Sequence, residues 1–210
     1  MPRRHRAFIK GATLHVTQRG NNRTATFRVP FDYKIFLLFL RRTTVCYGLH
    51  IHAYSLMSNH FHLMVTPESG SALPRAMQSL GRRYVRYFND RYKRTGTLWE
   101  GRHKVLMVLH ERYWLTCMRY VEMNPVRAGL VASPEQYRWS SYRAHAFGGE
   151  DLAIVPHAVY DALGSTPERR QEIWRQICGM PVTIEQLEVI RKGIGNGFVT
   201  GEPFLHECVP

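Results

Sequence analysis

Apolar residues recur along this chain at two spacings, and the spacings divide it into elements. Residues 12–19, ATLHVTQR, are rich in β-branched side chains and run into RGNNR, which predicts a strand closed by a Gly- and Asn-rich turn. Residues 31–47 predict a buried helix bounded by Pro30 and Gly48. Residues 51–67, IHAYSLMSNHFHLMVTP, predict a hairpin turning at Ser58-Asn59. Its second strand alternates Phe61, Leu63 and Val65 on one face with His60, His62, Met64 and Thr66 on the other. Residues 72–94 carry the clearest helical period: Leu73, Met77, Leu80, Tyr84 and Phe88 form a core-facing stripe, and Arg75, Arg82, Arg86 and Lys93 line a different face. Thr95-Gly96 ends that helix. Residues 103–109 predict another strand, and residues 111–124 a helix with Trp114, Met118 and Val121 as its core side. Tyr113, Cys117, Tyr120 and Asn124 form the adjacent stripe, at offsets of four, three and four.

The resulting order is strand, helix, strand, strand, helix, strand, helix. It predicts an α+β fold: an antiparallel sheet of split βαβ topology backed by helices. After Ala144 the character changes. Gly148-Gly149 reads as a linker, and short helices are expected at residues 156–163, 167–178 and 184–192, with Ser165, Thr166 and Thr183 as candidate caps. The expected organisation is one domain over residues 1–147 and a small helical extension over 148–210.

Charge sharpens the picture. The chain has 29 Lys and Arg against 16 Asp and Glu, a net +13 that favours a polyanionic partner. The excess is uneven: residues 1–150 hold 24 basic and 8 acidic side chains (net +16), and residues 151–210 hold 5 and 8 (net −3). Any grip on phosphate therefore belongs to the first part. The candidates are the donors at the end of the first strand (Arg19, Asn21 and Arg23), the basic helix face (Arg75, Arg82, Arg86 and Lys93), and the neighbouring Arg94 and Arg102. Tyr87 and Tyr92, interleaved with them, are candidate stacking platforms for bases. A solvated basic surface would have the same composition. Cys46, Cys117, Cys178 and Cys208 are widely spaced with no C-x-x-C pair, so neither a zinc knuckle nor a disulfide framework is suggested and a reducing cytoplasm fits. The amino terminus lacks the apolar run of a signal peptide, and the longest apolar stretch, residues 35–40, is far too short to span a bilayer.

His60 and His62, two apart on a strand, project to the same side about 7 Å apart along the chain, a workable bite for one divalent ion. If Asn124 adds a carbonyl oxygen, Tyr120, one turn earlier on the same helix, comes within reach of whatever the ion binds. In so basic a chain the natural target is a phosphodiester. Tyrosine attack on phosphorus gives a phosphotyrosine that retains the ester linkage, so a second DNA hydroxyl can reverse the step and rejoin strands. Each residue also has a plainer reading: two histidines on a half-exposed strand, one core-edge tyrosine among eleven, and an Asn capping a helix that begins at Pro125.

His60-Phe61-His62, combined with Tyr120-Val121-Glu122-Met123-Asn124-Pro125, resembles the single-tyrosine HUH transposases, and among them the bacterial REP-associated tyrosine transposases. HVTQRGNNR, SLMSNHFHLMV, GTLWEGR and YVEMNPVRAGLV carry the likeness over roughly residues 8–145. The resemblance implies a ferredoxin-like HUH fold, His60 and His62 as metal ligands, and Tyr120 as the nucleophile that forms a 5′-phosphotyrosine and releases a 3′-hydroxyl. Asn124 would be the third, polar ligand, one methylene shorter than the Gln usual there, and the ion Mg²⁺ or Mn²⁺. The implied partner is single-stranded DNA folded into imperfect palindromic hairpins, in a bacterial cytoplasm and at the nucleoid when bound. Both a homodimer that exchanges its tyrosine and a self-contained site are compatible with it. Competing functions are a non-catalytic, domesticated hairpin-binding protein and a metal-dependent phosphoesterase that uses water.

Overall fold

The computed structural model describes residues 11–181 and 183–196. The amino-terminal decapeptide and Cys208 lie outside them. Strand β1 (Thr13–Arg19) leads through a short turn to helix α1 (Pro30–Tyr47), then to β2 (Leu49–Leu56), β3 (His60–Pro67), α2 (Ala72–Tyr92), β4 (Lys104–Val108) and α3 (Glu111–Glu122). The strands lie in the order β2-β3-β1-β4, each pair of neighbours antiparallel. β3 is thus inserted between β1 and β2, the split βαβ arrangement expected from the sequence. The hairpin turns at Ser58-Asn59, where the Met57 N–H bonds the His60 carbonyl at 2.8 Å.

Alternation along the strands assigns each sheet face its own core. Leu14, Val16, Phe61, Leu63 and Val65 pack with Phe36 and Leu40 of α1 and with Leu73, Leu80, Tyr84 and Phe88 of α2. Both crossover helices therefore cover the same face, as right-handed crossovers require. Local chemistry fixes their ends. Pro30 opens α1, the Asp32 carboxylate accepts from the N–H groups of Arg28 and Val29 at 2.8 and 3.1 Å, and Gly48 closes the helix at φ 66°. Asp32 also receives the Tyr87 and Tyr92 hydroxyls, each at 2.7 Å, which ties α2 to α1. These two tyrosines, expected as base-stacking platforms, are instead half-buried structural donors, and Arg28 lies over the Tyr92 ring at 4.5 Å.

The opposite face is covered by α3 and by the helices after it: α4 (Asn124–Arg127), α5 (Tyr142–Phe147), α6 (Ala158–Asp161), α7 (Pro167–Gly179) and α8 (Ile184–Asn196). Ala53, Met64 and Val108 of the sheet meet Trp114, Cys117, Met118 and Val121 of α3 there, together with Tyr160, Trp174 and Ile190. At the centre of this layer the buried Glu122 carboxylate accepts from the Ser141 hydroxyl, from His145 Nδ1 at 2.7 Å and from the Trp174 indole at 2.9 Å. Helix α3 is shorter than the sequence suggests: it stops at Glu122, and Asn124 opens α4, with Pro125 in its first turn. Among the described residues, no helix is long and apolar enough to cross a membrane.

Candidate active site

The face of β3 turned away from α1 and α2 carries His60 and His62. Across the ladder Arg19 pairs with His60 and Thr17 with His62. The imidazole centroids lie 5.1 Å apart at 81°. The Tyr120 ring, from α3, stands edge-on 5.8 Å from His62. Together with Asn124 these groups line one cavity of about 700 Å³, whose walls include Arg19, Arg102, Lys104 and Arg127 and, among the described residues, a single carboxylate, Glu100. A tyrosine ring, two imidazoles and an amide-bearing side chain from segments far apart in sequence thus line one cavity within one chain.

Internal hydrogen bonds orient the ligand-type side chains. His60 Nδ1 donates to Asn59 Oδ1 at 2.6 Å, and the other end of that amide donates to the Arg23 carbonyl at 3.1 Å, so its orientation is fixed. Behind Asn59, Gly20 donates its N–H to the Asn59 carbonyl at 2.8 Å. A Cβ at Gly20 would collide with the Thr24 carbonyl and the Thr26 methyl, so lack of space excludes a side chain there even though φ is an ordinary −64°. The RGNNR turn thereby sets the His60 ring. On the other side, His62 Nδ1 and His15 Nε2 are 2.9 Å apart.

Burial keeps these rings neutral. It is the main reason that the His60 pKa falls to about 4, with the Arg19 charge adding to it. His62 is pushed well below the ordinary value, again by burial first and then by His15, His60 and the neighbouring cations. His15 falls to about 3 through burial and the charge of Arg127. Neutral imidazoles present lone pairs, the state a metal requires. Among the described residues, no group of three His, Cys, Asp or Glu is placed to hold a metal ion. Two imidazoles plus an amide oxygen is therefore the donor set on offer. It fits a hard divalent cation that keeps water or phosphate in its remaining positions. Among the described residues, the buried Asn124 Nδ2 has no hydrogen-bond partner.

Of the basic candidates, Arg19 and Arg102 line the cavity. Asn21 and Arg23 form the turn beyond Arg19, Arg23 in the left-handed region at φ 57°. Helix α2 packs on the other face of the sheet, so Arg75, Arg82, Arg86, Lys93 and Arg94 are not gathered around His60 and His62. Arg75 lies over Tyr47 at 5.2 Å, Arg94 over Phe88 at 5.6 Å, and exposed Arg86 pairs with Asp90 at 3.8 Å. Arg82 is exposed, and Lys93 ends the helix at φ 52°. Sequence reasoning passed over three residues of the site: His15, Asn59 and Arg127. The polar alternation Thr13, His15, Thr17 was the available signal for His15. Arg127 comes after a helix break that hides its spacing from Tyr120.

The family model for IS200-like transposases matches residues 9–124, more than half of the chain. The chain belongs to the IS200-like transposases. The match runs from β1 to Asn124, the last of the four clustered residues, so Arg127 and the helices after it lie beyond the matched segment. No curated protein sequence matches this transposase. Among solved structures it is similar to a REP-associated tyrosine transposase bound to a REP hairpin, at 19% identity and a TM-score of 0.56, covering 75% of this chain and 93% of the other. That likeness confirms the α+β fold of a transposase with a four-stranded antiparallel sheet. The chain is also similar to a protein from Deinococcus radiodurans R1 described as a transposase, at 19% identity and a TM-score of 0.41, covering 57% and 95%.

Proposed function

We propose that this transposase is a metal-dependent endonuclease and strand transferase acting on single-stranded DNA beside imperfect palindromic hairpins. Tyr120 is the nucleophile, and His60, His62 and Asn124 hold Mg²⁺ or Mn²⁺. The observation that carries the reading is the 5.8 Å approach of the Tyr120 ring to His62 inside a cation-lined cavity. Residues 1–147 form the catalytic domain and 148–210 an extension whose helices brace α3. Because Tyr120 reaches the histidines of its own chain, the reading favours a self-contained site over a tyrosine exchanged in a homodimer. The structural relative bound to a REP hairpin supports the hairpin substrate, and the bacterial nucleoid is the matching location.

When bound, the divalent ion draws charge from a phosphate oxygen and makes the phosphorus easier to attack. The chain supplies the rest. Tyr120 Oη bonds to phosphorus as the bond from phosphorus to the 3′-oxygen breaks; the phenol proton is lost to solvent, and the 3′-oxygen leaves as a hydroxyl after protonation. The 5′-phosphotyrosine retains one phosphodiester bond. A second 3′-hydroxyl can then displace the tyrosine and join strands without an energy source. Arg19, Arg102, Lys104 and Arg127 provide the positive field for the backbone.

Labelled single-stranded hairpins incubated with Mn²⁺ or Mg²⁺ test the reading. A protein-linked band is expected from the natural chain and none from Tyr120→Phe, with DNA binding retained. Adducts at full yield from Tyr120→Phe, or cleavage by that variant to free phosphate ends, would overturn the tyrosine mechanism. Tight binding with no cleavage under either metal would leave a non-catalytic hairpin-binding protein.

A further inference from the structure

We propose that His15 is a positioning residue for the metal site: it accepts a hydrogen bond from His62 and so holds the His62 lone pair toward the cavity. The inference rests on the metal reading given above.

The two ligand histidines are supported differently. The partner of His60 is a carbonyl oxygen, which only accepts, so His60 carries its proton on Nδ1 and presents Nε2 bare. The partner of His62 is a second imidazole, which can either donate or accept. His15 is fully buried on β1, diagonal to His62 across the ladder, with its ring centroid 5.1 Å away at 36°. It also meets the Tyr120 ring edge-on at 5.8 Å, so one side chain touches both halves of the site.

Two neutral arrangements satisfy the 2.9 Å contact. If His15 Nε2 carries the hydrogen, His62 accepts at Nδ1 and bears its own proton on Nε2, which closes the ring to a cation. If His62 Nδ1 carries it, His15 accepts, and His62 Nε2 is free to coordinate. His15 Nδ1 is buried with no hydrogen-bond partner among the described residues. It is left as an orphaned acceptor in the first arrangement and an orphaned donor in the second. The protein therefore supplies no partner at that atom to lock the pair in the closed form. A cation entering the cavity selects the open one. Loading the site places the Nδ1 proton on both rings, without changing the number of protons they share.

Mn²⁺ affinity, measured by titration calorimetry on the full chain and its variants, tests the inference. His15→Phe keeps the buried ring shape but has no acceptor, and is expected to weaken Mn²⁺ binding by roughly 10- to 100-fold. His15→Gln, with a side-chain carbonyl, is expected to restore most of it. Equal Mn²⁺ affinity in His15→Phe and the natural chain would overturn the role of His15 and leave the metal reading standing. Failure of the natural chain to bind Mn²⁺ would overturn both. A second measurement requires no substitution: long-range ¹H–¹⁵N spectra of histidine-labelled protein with Mg²⁺ should find both His15 and His62 protonated at Nδ1. An Nε2 proton on His15 in the loaded protein would overturn the inference.

Discussion

The Arg127 guanidinium lies 3.9 Å from the centroid of the Tyr120 ring and donates to the Tyr120 main-chain carbonyl at 3.0 Å. One side chain thus grips the tyrosine by ring and by backbone, from the helix after the break at Met123. It brings a fixed cation to the place where a phosphotyrosine would form.

Loss of that grip has a calculable effect. A cation over an aromatic face contributes about 0.5–2 kcal/mol, so Arg127→Ala should lower the rate of adduct formation by roughly 2- to 30-fold. Arg127→Lys should recover only part, because an ammonium lacks the planar face and the fork of donors. Single-turnover cleavage of a hairpin substrate gives the comparison, and equal rates for Arg127→Ala and the natural chain would refute it.

The sheet separates the basic side chains into two groups, and salt dependence can tell them apart. Removing a cavity cation by Arg19→Ala or Arg102→Ala should reduce the slope of log affinity against log salt by roughly 0.7 to 0.9 each. Arg75→Ala and Arg86→Ala, on the helical layer behind the sheet, should leave the slope unchanged. The reverse ranking would place the DNA on α2.

Glu122 lies two residues from Tyr120 and is fully buried, its charge satisfied by Ser141, His145 and Trp174. Replacing it by Ala leaves three donors unanswered in the core beneath α3, at a cost of about 3–5 kcal/mol. For a chain of this size that lowers the melting temperature by roughly 6–20 °C, and Glu122→Gln should fall by less. A melting curve unchanged in Glu122→Ala would show that the helices after α5 do not depend on this carboxylate.

His52 gives the protein an acid limit away from the proposed metal site. Burial, opposed in part by its bond to the Val155 carbonyl, lowers its pKa to about 4. Once unfolded it takes up a proton near pH 6.5, while the folded chain refuses it until about pH 4. The unfolded state therefore binds more protons between those values, and stability falls as pH falls through that window, by about 1.4 kcal/mol per pH unit for this one group. Urea midpoints at pH 7.5 and 5.5 should differ accordingly, and His52→Gln should flatten the difference by one proton.

Much of this fold was legible before any coordinates. The alternation of Phe61, Leu63 and Val65 with His60 and His62, the period of residues 72–92 and the stop at Gly48 are local consequences of backbone geometry. Each element from β1 to β4 sits where its pattern put it to within a residue or two, and α3 starts where expected but stops two residues early, at Glu122. The shared stripe of Tyr120 and Asn124 was also readable, and both line the cavity. The commitment of Tyr87 and Tyr92 to Asp32 was not readable, because an amphipathic period says that a helix has an inner face and not which side chains of a neighbouring helix will meet it.

The sequence by itself determined the elements, the basic charge of the first 150 residues and the side of its own strand or helix on which each candidate residue points. Only the tertiary structure decided that His15, 47 positions before His62, lies against it, and that α3 falls on the face the crossover helices leave open. The physical reason is range. Side-chain direction is set by a few consecutive dihedral angles, whereas the meeting of two side chains depends on strand register and crossover hand, which are fixed by burial of the whole core.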